Sequence, residues 1–273
     1  MTTTSLGRTH PLVSRLRRLS RSAEAREAER VILLEGIHLA EAALDCGMSM
    51  IETLVSPKLR RDAAGSRLLE KIGSAGVEPR LVSDQVMESL HDAASHQGIL
   101  ILASRPRHQP EAMLDSAPAR GLILLTCGVQ DPGNAGALVR LADACGGSAV
   151  VAAEGADPFS QKALRAAAGS TLRLPVARLD GQAALRRWLA QAAGRGFCIG
   201  GAVPRGGTPY RSALWSAPMI LAVGSEGGGL PDAVERALTL RLTIPVHPRV
   251  ESLNVATAAA ILMFEASHRL GLL

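Results

Sequence analysis

The sequence predicts an α/β protein with a mostly parallel sheet, built in two parts. Three observations carry this. In the second half, short apolar runs alternate with helix-forming stretches. One run, Gly121 to Thr126, has no charged residue, as a strand buried on both faces of a parallel sheet requires. A polar stretch at 104–120, bearing Pro106, Pro110 and Pro118, separates this half from a smaller first half and reads as a linker.

The first half opens with a helix over 12–30, where Leu12, Leu16 and Leu19 share a face with Arg15, Arg17, Arg18 and Arg21 around it. Val31 to Leu34 is a strand. Gly36 to Leu44 is a helix closed by Gly47, and Ile51 to Val55 a strand stopped by Pro57. Leu59 to Gly73 is an amphipathic helix with Leu68, Leu69 and Ile72 as its stripe. A strand at Arg80 to Val82, a helix at Asp84 to Leu90 capped by Asp84, and a strand at Ile99 to Ala103 complete a small α/β domain.

In the second half, strands follow at Gly121–Thr126, Ser148–Ala152, Phe197–Ala202, Met219–Val223 and Arg241–Val246. Helices fall at Ala135–Cys145, Gln161–Ala168, Gly181–Ala193, Asp232–Ala237 and Leu253–Leu270. The domains are therefore 1–105, a linker over 106–119, and 120–273.

Composition narrows the function. The 273 residues are 47% apolar, enough for a packed core, with a net charge of +5 and only 2% aromatics. No apolar stretch approaches the roughly 18 residues of a membrane span. Of the 30 basic residues only Lys58, Lys71 and Lys162 are lysine, leaving 27 arginines. Arginine forks suit phosphate, so a polyanion partner competes with a GC-rich genome as their explanation. The scarcity of aromatics argues against stacking platforms for bases. Cys46, Cys127, Cys145 and Cys198 are scattered without metal-ligand spacing, so no metal site is expected. The first 22 residues are basic without an apolar core and read as a basic arm of a cytoplasmic protein more than as a targeting segment.

Three strand-to-helix loops carry the chemistry. The first, Cys127 to Gly136, leads into a helix bearing Arg140. Gly128 and Gly133 have the spacing of a phosphate loop, but Asn134 and Ala135 stand where Lys and Ser or Thr are needed, and no GxGxxG occurs. Asn134 reads equally as an ordinary N-cap, and Arg140 as a solvated helix charge or a group reaching back to the loop. The second loop, Gly224-Ser-Glu226-Gly-Gly-Gly229, follows a buried strand and lets a ligand approach the backbone. The third runs from Ile244 through His247 and Arg249 to Ser252, a natural N-cap, and Asn254 at the start of an apolar helix. His247 is a tempting base, although a lone loop histidine is usually only solvated.

Together, Asn134-x5-Arg140, Gly224-Ser-Glu226-Gly-x-Gly229-Leu and Ile244-Pro245 with Ser252-Leu-Asn254-Val resemble the three motifs of the SpoU/TrmH RNA 2'-O-ribose methyltransferases of the SPOUT class. Asp157 to Ser170 is similar to the family segment after the first motif. Leu34-Glu35-Gly36 and His96-Gln97-Gly98-Ile99 resemble the family's RNA substrate-binding domain, itself similar to small α/β ribosomal proteins. Ser225 stands where many members have Asn, and Ala167 where Ser is common.

The resemblance implies a trefoil-knotted C-terminal domain, a homodimer in which both subunits complete each site, and S-adenosyl-L-methionine as methyl donor. It implies Arg140 as principal catalytic residue, with Asn134, Glu226, Ser252 and Asn254 completing the polar site. Gly224, Ile244 and Leu253 would hold the cofactor by their backbone. Arg15, Arg17, Arg18, Arg165 and Arg249 are candidate RNA contacts, and no metal is implied. Large-subunit ribosomal RNA is the favoured substrate. A tRNA 2'-O-methyltransferase, or a non-catalytic RNA-binding or ribosome-assembly factor of the same fold, are the competing readings.

Overall fold

The computed structural model describes residues 5–61, 63–91, 96–225 and 227–273. It divides into two compact units, Met1–Pro106 with Phe159–Leu172, and Arg107–Pro158 with Arg173–Leu273.

The first unit begins with α1 (Pro11–Arg21) and α2 (Ala23–Glu29), where the sequence reads one helix. Ser22 breaks it. Its backbone is extended, and its hydroxyl accepts the Ala25 N–H at 3.0 Å, so it caps α2 instead of continuing α1. The buried Arg26 donates to the Leu19 and Ser20 carbonyls, satisfying the open end of α1.

The elements β1 (Val31–Glu35), α3 (Ile37–Asp45), β2 (Met50–Val55), a 3-10 turn (Pro57–Arg61), α4 (Ala63–Ser74), β3 (Arg80–Leu81), α5 (Asp84–Glu88) and β4 (Ile99–Ser104) follow. The sheet order is β1-β4-β2-β3, with β4 antiparallel to both neighbours and β2 parallel to β3. Val13, Leu16 and Leu19 of α1 pack with Leu33, Leu54, Leu100 and Leu102. The cap of α5 is Ser83, which accepts the Val86 N–H at 3.2 Å; Asp84, expected there, instead accepts the Lys58 N–H.

The second unit contains α6 (Pro110–Ser116), inside the stretch read as linker. Pro110 sits where a helix tolerates it, Met113 and Leu114 are buried, and Trp188 Nε1 donates to the Pro110 carbonyl at 2.8 Å. Then come β5 (Leu122–Cys127), α7 (Pro132–Ala144) and β6 (Ala149–Ala153). The helices α8 (Gln161–Ala167) and α9 (Ser170–Arg173), which belong to the first unit up to Leu172, precede β7 (Val176–Leu179), a strand the sequence reading lacks, and α10 (Gln182–Gly194). The chain continues through β8 (Cys198–Ala202), β9 (Thr208–Pro209), a 3-10 turn (Tyr210–Ser212), β10 (Met219–Val223), α11 (Asp232–Ala237), β11 (Leu240–Thr243) and α12 (Val255–Leu270).

Its seven strands pair in the order β7-β6-β5-β10-β8-β11-β9, every pair parallel. Strands β5, β6 and β10 are buried at every position, as their apolar runs demand. From β5 the chain proceeds to β6 on one side, while β10 lies on the other. Ligands in open parallel sheets bind at such a switch point, beyond the carboxyl ends of the strands.

Candidate active site

The three loops read from the sequence leave the carboxyl ends of β5, β10 and β11. The first turns at Gly128, whose φ of +65° suits glycine and whose N–H donates to the Ala153 carbonyl at 2.9 Å. A Cβ on Gly128 would lie 3.7 Å from the Ser225 Cβ, so the first and second loops touch. The cap of α7 is Asp131, whose carboxylate accepts the Asn134 N–H at 2.9 Å. Asn134, one reading of which was the cap, lies inside the first turn of α7.

The second loop closes on itself. Ser225 and Gly229 exchange backbone hydrogen bonds of 3.2 and 3.0 Å, and Ser225 Oγ accepts the Gly228 N–H. A side chain at Gly224 would place its Cβ 2.1 Å from the Gly229 carbonyl oxygen, so only glycine fits. Glu226 lies outside the described residues.

The third loop ends at α12, whose cap is Asn254 and not Ser252. Its Oδ1 accepts the Ala256 N–H at 2.9 Å and the Thr257 N–H at 3.3 Å. Strand β11 stops at Thr243, leaving Ile244 to Val246 free of the ladder to line the site.

The second and third loops line a cavity of about 320 Å³. Gly224, Ile244 and Leu253 line it, together with Ser225, Ser252 and the α12 residues Ala258 and Leu262. Ala202, Val203 and Pro204, following β8, form a wall that sequence reasoning missed. Only their position at a strand end could have flagged them. The cavity thus joins apolar side chains to a glycine backbone that a ligand can approach closely.

Arg140 and Asn134 do not line this cavity. Arg140 is exposed on α7, the helix against which α12 packs, with no partner among the described residues. Asn254 is exposed at its cap, and Arg249 and His247 are exposed on the third loop. Cys127, at the end of β5, is buried, which pushes its thiol up to about 12 with Glu154 adding to the effect. It stays protonated and cannot serve as a nucleophile at neutral pH.

The arginines of the basic arm are engaged. Arg15 Nη2 and Arg18 both reach Glu29, the former at 2.7 Å, and Arg17 Nη2 donates to Ser89 Oγ at 3.1 Å. Arg165 belongs to the first unit, where it donates to Glu35 at 2.7 Å. Among the described residues no group of three or more His, Cys, Asp or Glu could hold a metal ion. None of the described helices is long and apolar enough to cross a membrane.

Comparison with known proteins joins these features. Residues 121–264 match the SpoU rRNA Methylase family model, and residues 33–109 match the RNA 2'-O ribose methyltransferase substrate binding model. The chain belongs to the SpoU rRNA methylase family. The SpoU match spans β5 through most of α12, and so takes in all three loops and the cavity that the second and third line.

The chain is 34% identical over 240 residues to the 23S rRNA (guanosine(2553)-2'-O)-methyltransferase RlmP of Bacillus subtilis, covering 88% of this chain and 89% of that one. It is 30% identical to the 23S rRNA (guanosine-2'-O-)-methyltransferase RlmB of Salmonella typhimurium, over 86% and 97% of the two chains. An AdoMet-bound rRNA methyltransferase from Sinorhizobium meliloti superposes with a TM-score of 0.82 at 28% identity, covering 97% of each chain. This SpoU member is an RNA 2'-O-methyltransferase.

Proposed function

We propose that this SpoU enzyme uses S-adenosyl-L-methionine to methylate a ribose 2'-hydroxyl in 23S-type ribosomal RNA. The observation that carries the reading is that the second and third motif loops line one cavity beyond the carboxyl ends of β10 and β11, with the first loop touching the second at Gly128 and Ser225. Two relatives, at 34% and 30% identity, act, by their names, on 23S rRNA.

The cavity fits the cofactor. The missing side chain at Gly224 lets Gly229 close against it and shape the loop that lines the cavity, and apolar groups from Ile244, Leu253 and Leu262 surround the space. When bound, the cofactor supplies a methyl group on a sulfonium. A ribose hydroxyl is a weak nucleophile that must lose its proton as it attacks. The role of Arg140 is to hold the substrate phosphate and stabilise the developing alkoxide, while phosphate, water or a group of a second subunit accepts the proton. Asn134 orients Arg140 or the substrate, and Glu226, Ser252 and Asn254 complete the polar site.

Arg140 stands off the cavity of its own chain, which supports a homodimer in which each subunit completes the other's site. On this reading the enzyme is cytoplasmic, residues 1–105 bind RNA, 106–119 connect, and 120–273 carry catalysis. Of the candidate RNA contacts, Arg249 is exposed and its side chain is without a partner among the described residues, while Arg15, Arg17, Arg18 and Arg165 would contact RNA only through donors left over from their present bonds.

The test is transfer of labelled methyl from the cofactor into separate rRNA and tRNA pools from a strain lacking the enzyme. Nuclease-resistant dinucleotides in rRNA alone are expected. Label in tRNA alone, or in base rather than ribose, would overturn the assignment.

A further inference from the structure

Within the first unit lies a second cavity, of about 290 Å³, whose walls include Glu35, His91, His96, Gln97, Arg165 and Ala168. Its polar groups are fixed and of mixed kind. The buried Glu35 carboxylate accepts from Gln161 Nε2 and from Arg165 Nη1, the latter at 2.7 Å, so the charges of Glu35 and Arg165 cancel. Gln97 Oε1 accepts the Ile37 N–H at 2.8 Å, which leaves its Nε2 as donor. His96 accepts the Gly98 N–H on Nδ1 at 3.1 Å, so in its neutral form the proton sits on Nε2. Burial, with Lys58 and His91 nearby, holds the His96 pKa below 6.5 and keeps it neutral at pH 7.

His91 is the reverse. Its Nδ1 meets the Met87 carbonyl at 2.9 Å and must carry the proton. Its Nε2 is then a bare acceptor, shielded from solvent, with no partner among the described residues. The two imidazoles lie 5.6 Å apart, tilted at 48°. A phosphate, which only accepts, would find the Arg165 charge already engaged by Glu35 and no second free cation among the side chains that line the cavity. A nucleobase edge carries donors and acceptors together. Its flat face packs on histidine rings, which matters in a chain with only 2% Phe, Trp and Tyr.

We propose that this cavity takes one unstacked nucleobase of the RNA substrate, its edge read by Glu35, Gln97 and His96 with the His91 ring beside it. The proposal rests on the reading of the chain as an RNA methyltransferase, but its test needs no methyl transfer. The full-length protein is titrated with guanosine, adenosine, cytidine and uridine, and separately with inorganic phosphate, while the His91 and His96 Cε1–H resonances are followed by NMR. At least one nucleoside moves both resonances and phosphate moves neither. Ala168 is exposed beside the cavity, so Ala168→Trp adds bulk there without removing a hydrogen-bonding partner, and it weakens that nucleoside by about tenfold or more.

The proposal is overturned if no nucleoside moves either resonance, if phosphate moves them as strongly, or if Ala168→Trp binds as the wild type does. The wild-type titration needs no variant to fold. Methyl transfer by the same preparation is assayed in parallel. Methylation without nucleoside shifts removes this proposal and leaves the function standing, whereas nucleoside shifts without methylation of any RNA do the opposite.

Discussion

Arg165 Nη1 donates to Glu35 Oε2 at 2.7 Å, joining residues 130 positions apart, while Gln161 Nε2 takes the other carboxylate oxygen. The Glu35 side chain is 4% exposed and that of Arg165 33%. Glu35→Ala would leave the buried Gln161 amide without its acceptor and Arg165 without its counter-charge. We expect a loss of about 2 kcal/mol in urea unfolding. Glu35→Gln keeps one acceptor oxygen and should cost about half as much. An alanine variant as stable as the wild type would show that the pair is ornamental.

The Arg140 side chain is exposed and makes no bond among the described residues, so it contributes little to folding. Arg140→Ala should unfold within about 0.5 kcal/mol of the wild type. Methyl transfer should nevertheless fall by about 10²- to 10³-fold. A wild-type rate in a folded variant would remove Arg140 from the mechanism.

At Gly224 a methyl group would land 2.1 Å from the Gly229 carbonyl oxygen, whereas at Gly227 it would meet nothing within 4 Å. Gly224→Ala should therefore force the second loop open, lowering stability by about 1–3 kcal/mol. Calorimetry should show S-adenosyl-L-methionine binding weakened much more than in Gly227→Ala. Equal effects of the two substitutions would mean that the close approach at Gly224 does not shape the cofactor cavity.

The strands were legible because their signal is composition: a run such as Leu122 to Cys127 has nowhere to go but a buried sheet. The first two loops were legible because glycines after such runs restrict what the backbone can do, and the third because Pro245 and Pro248 break the strand. Helix starts were not. At Ser83 and Asp84, at Asp131 and Asn134, and at Ser252 and Asn254, two side chains compete to cap, and only the local φ and ψ decide which accepts. The prolines around α6 disguised a helix whose anchor, Trp188, lies 78 residues away. The pairing of Arg15 and Arg18 with Glu29 needs the break at Ser22, which composition cannot reveal. The wall from Ala202 to Pro204 looks in sequence like any other apolar strand end.

The caps can be tested directly. Asn254 Oδ1 accepts two N–H groups at the start of α12, while Ser252 lies outside the helix. Asn254→Ala should cost about 1 kcal/mol of stability, and Ser252→Ala close to nothing. The reverse order would restore Ser252 as the cap.

His96 links pH to stability with a definite sign. It is 4% exposed, and burial disfavours its charged form more than any other influence. Lys58 and His91 add to this, while Asp84 and Glu88 oppose it without prevailing. Its folded pKa is therefore below the usual 6.5, and below 6.5 the unfolded chain binds more protons than the folded one. The stability it contributes is complete above 6.5 and is lost as the pH falls through the lowered folded value. Carboxylates elsewhere also titrate in acid, so the wild type alone does not isolate this residue. His96→Asn does, because its amide oxygen can still accept the Gly98 N–H but cannot gain a proton. Between about pH 7 and pH 5 the urea midpoint should fall more steeply for the wild type than for His96→Asn. Parallel curves would mean that His96 is protonated as easily in the folded chain as in the unfolded one.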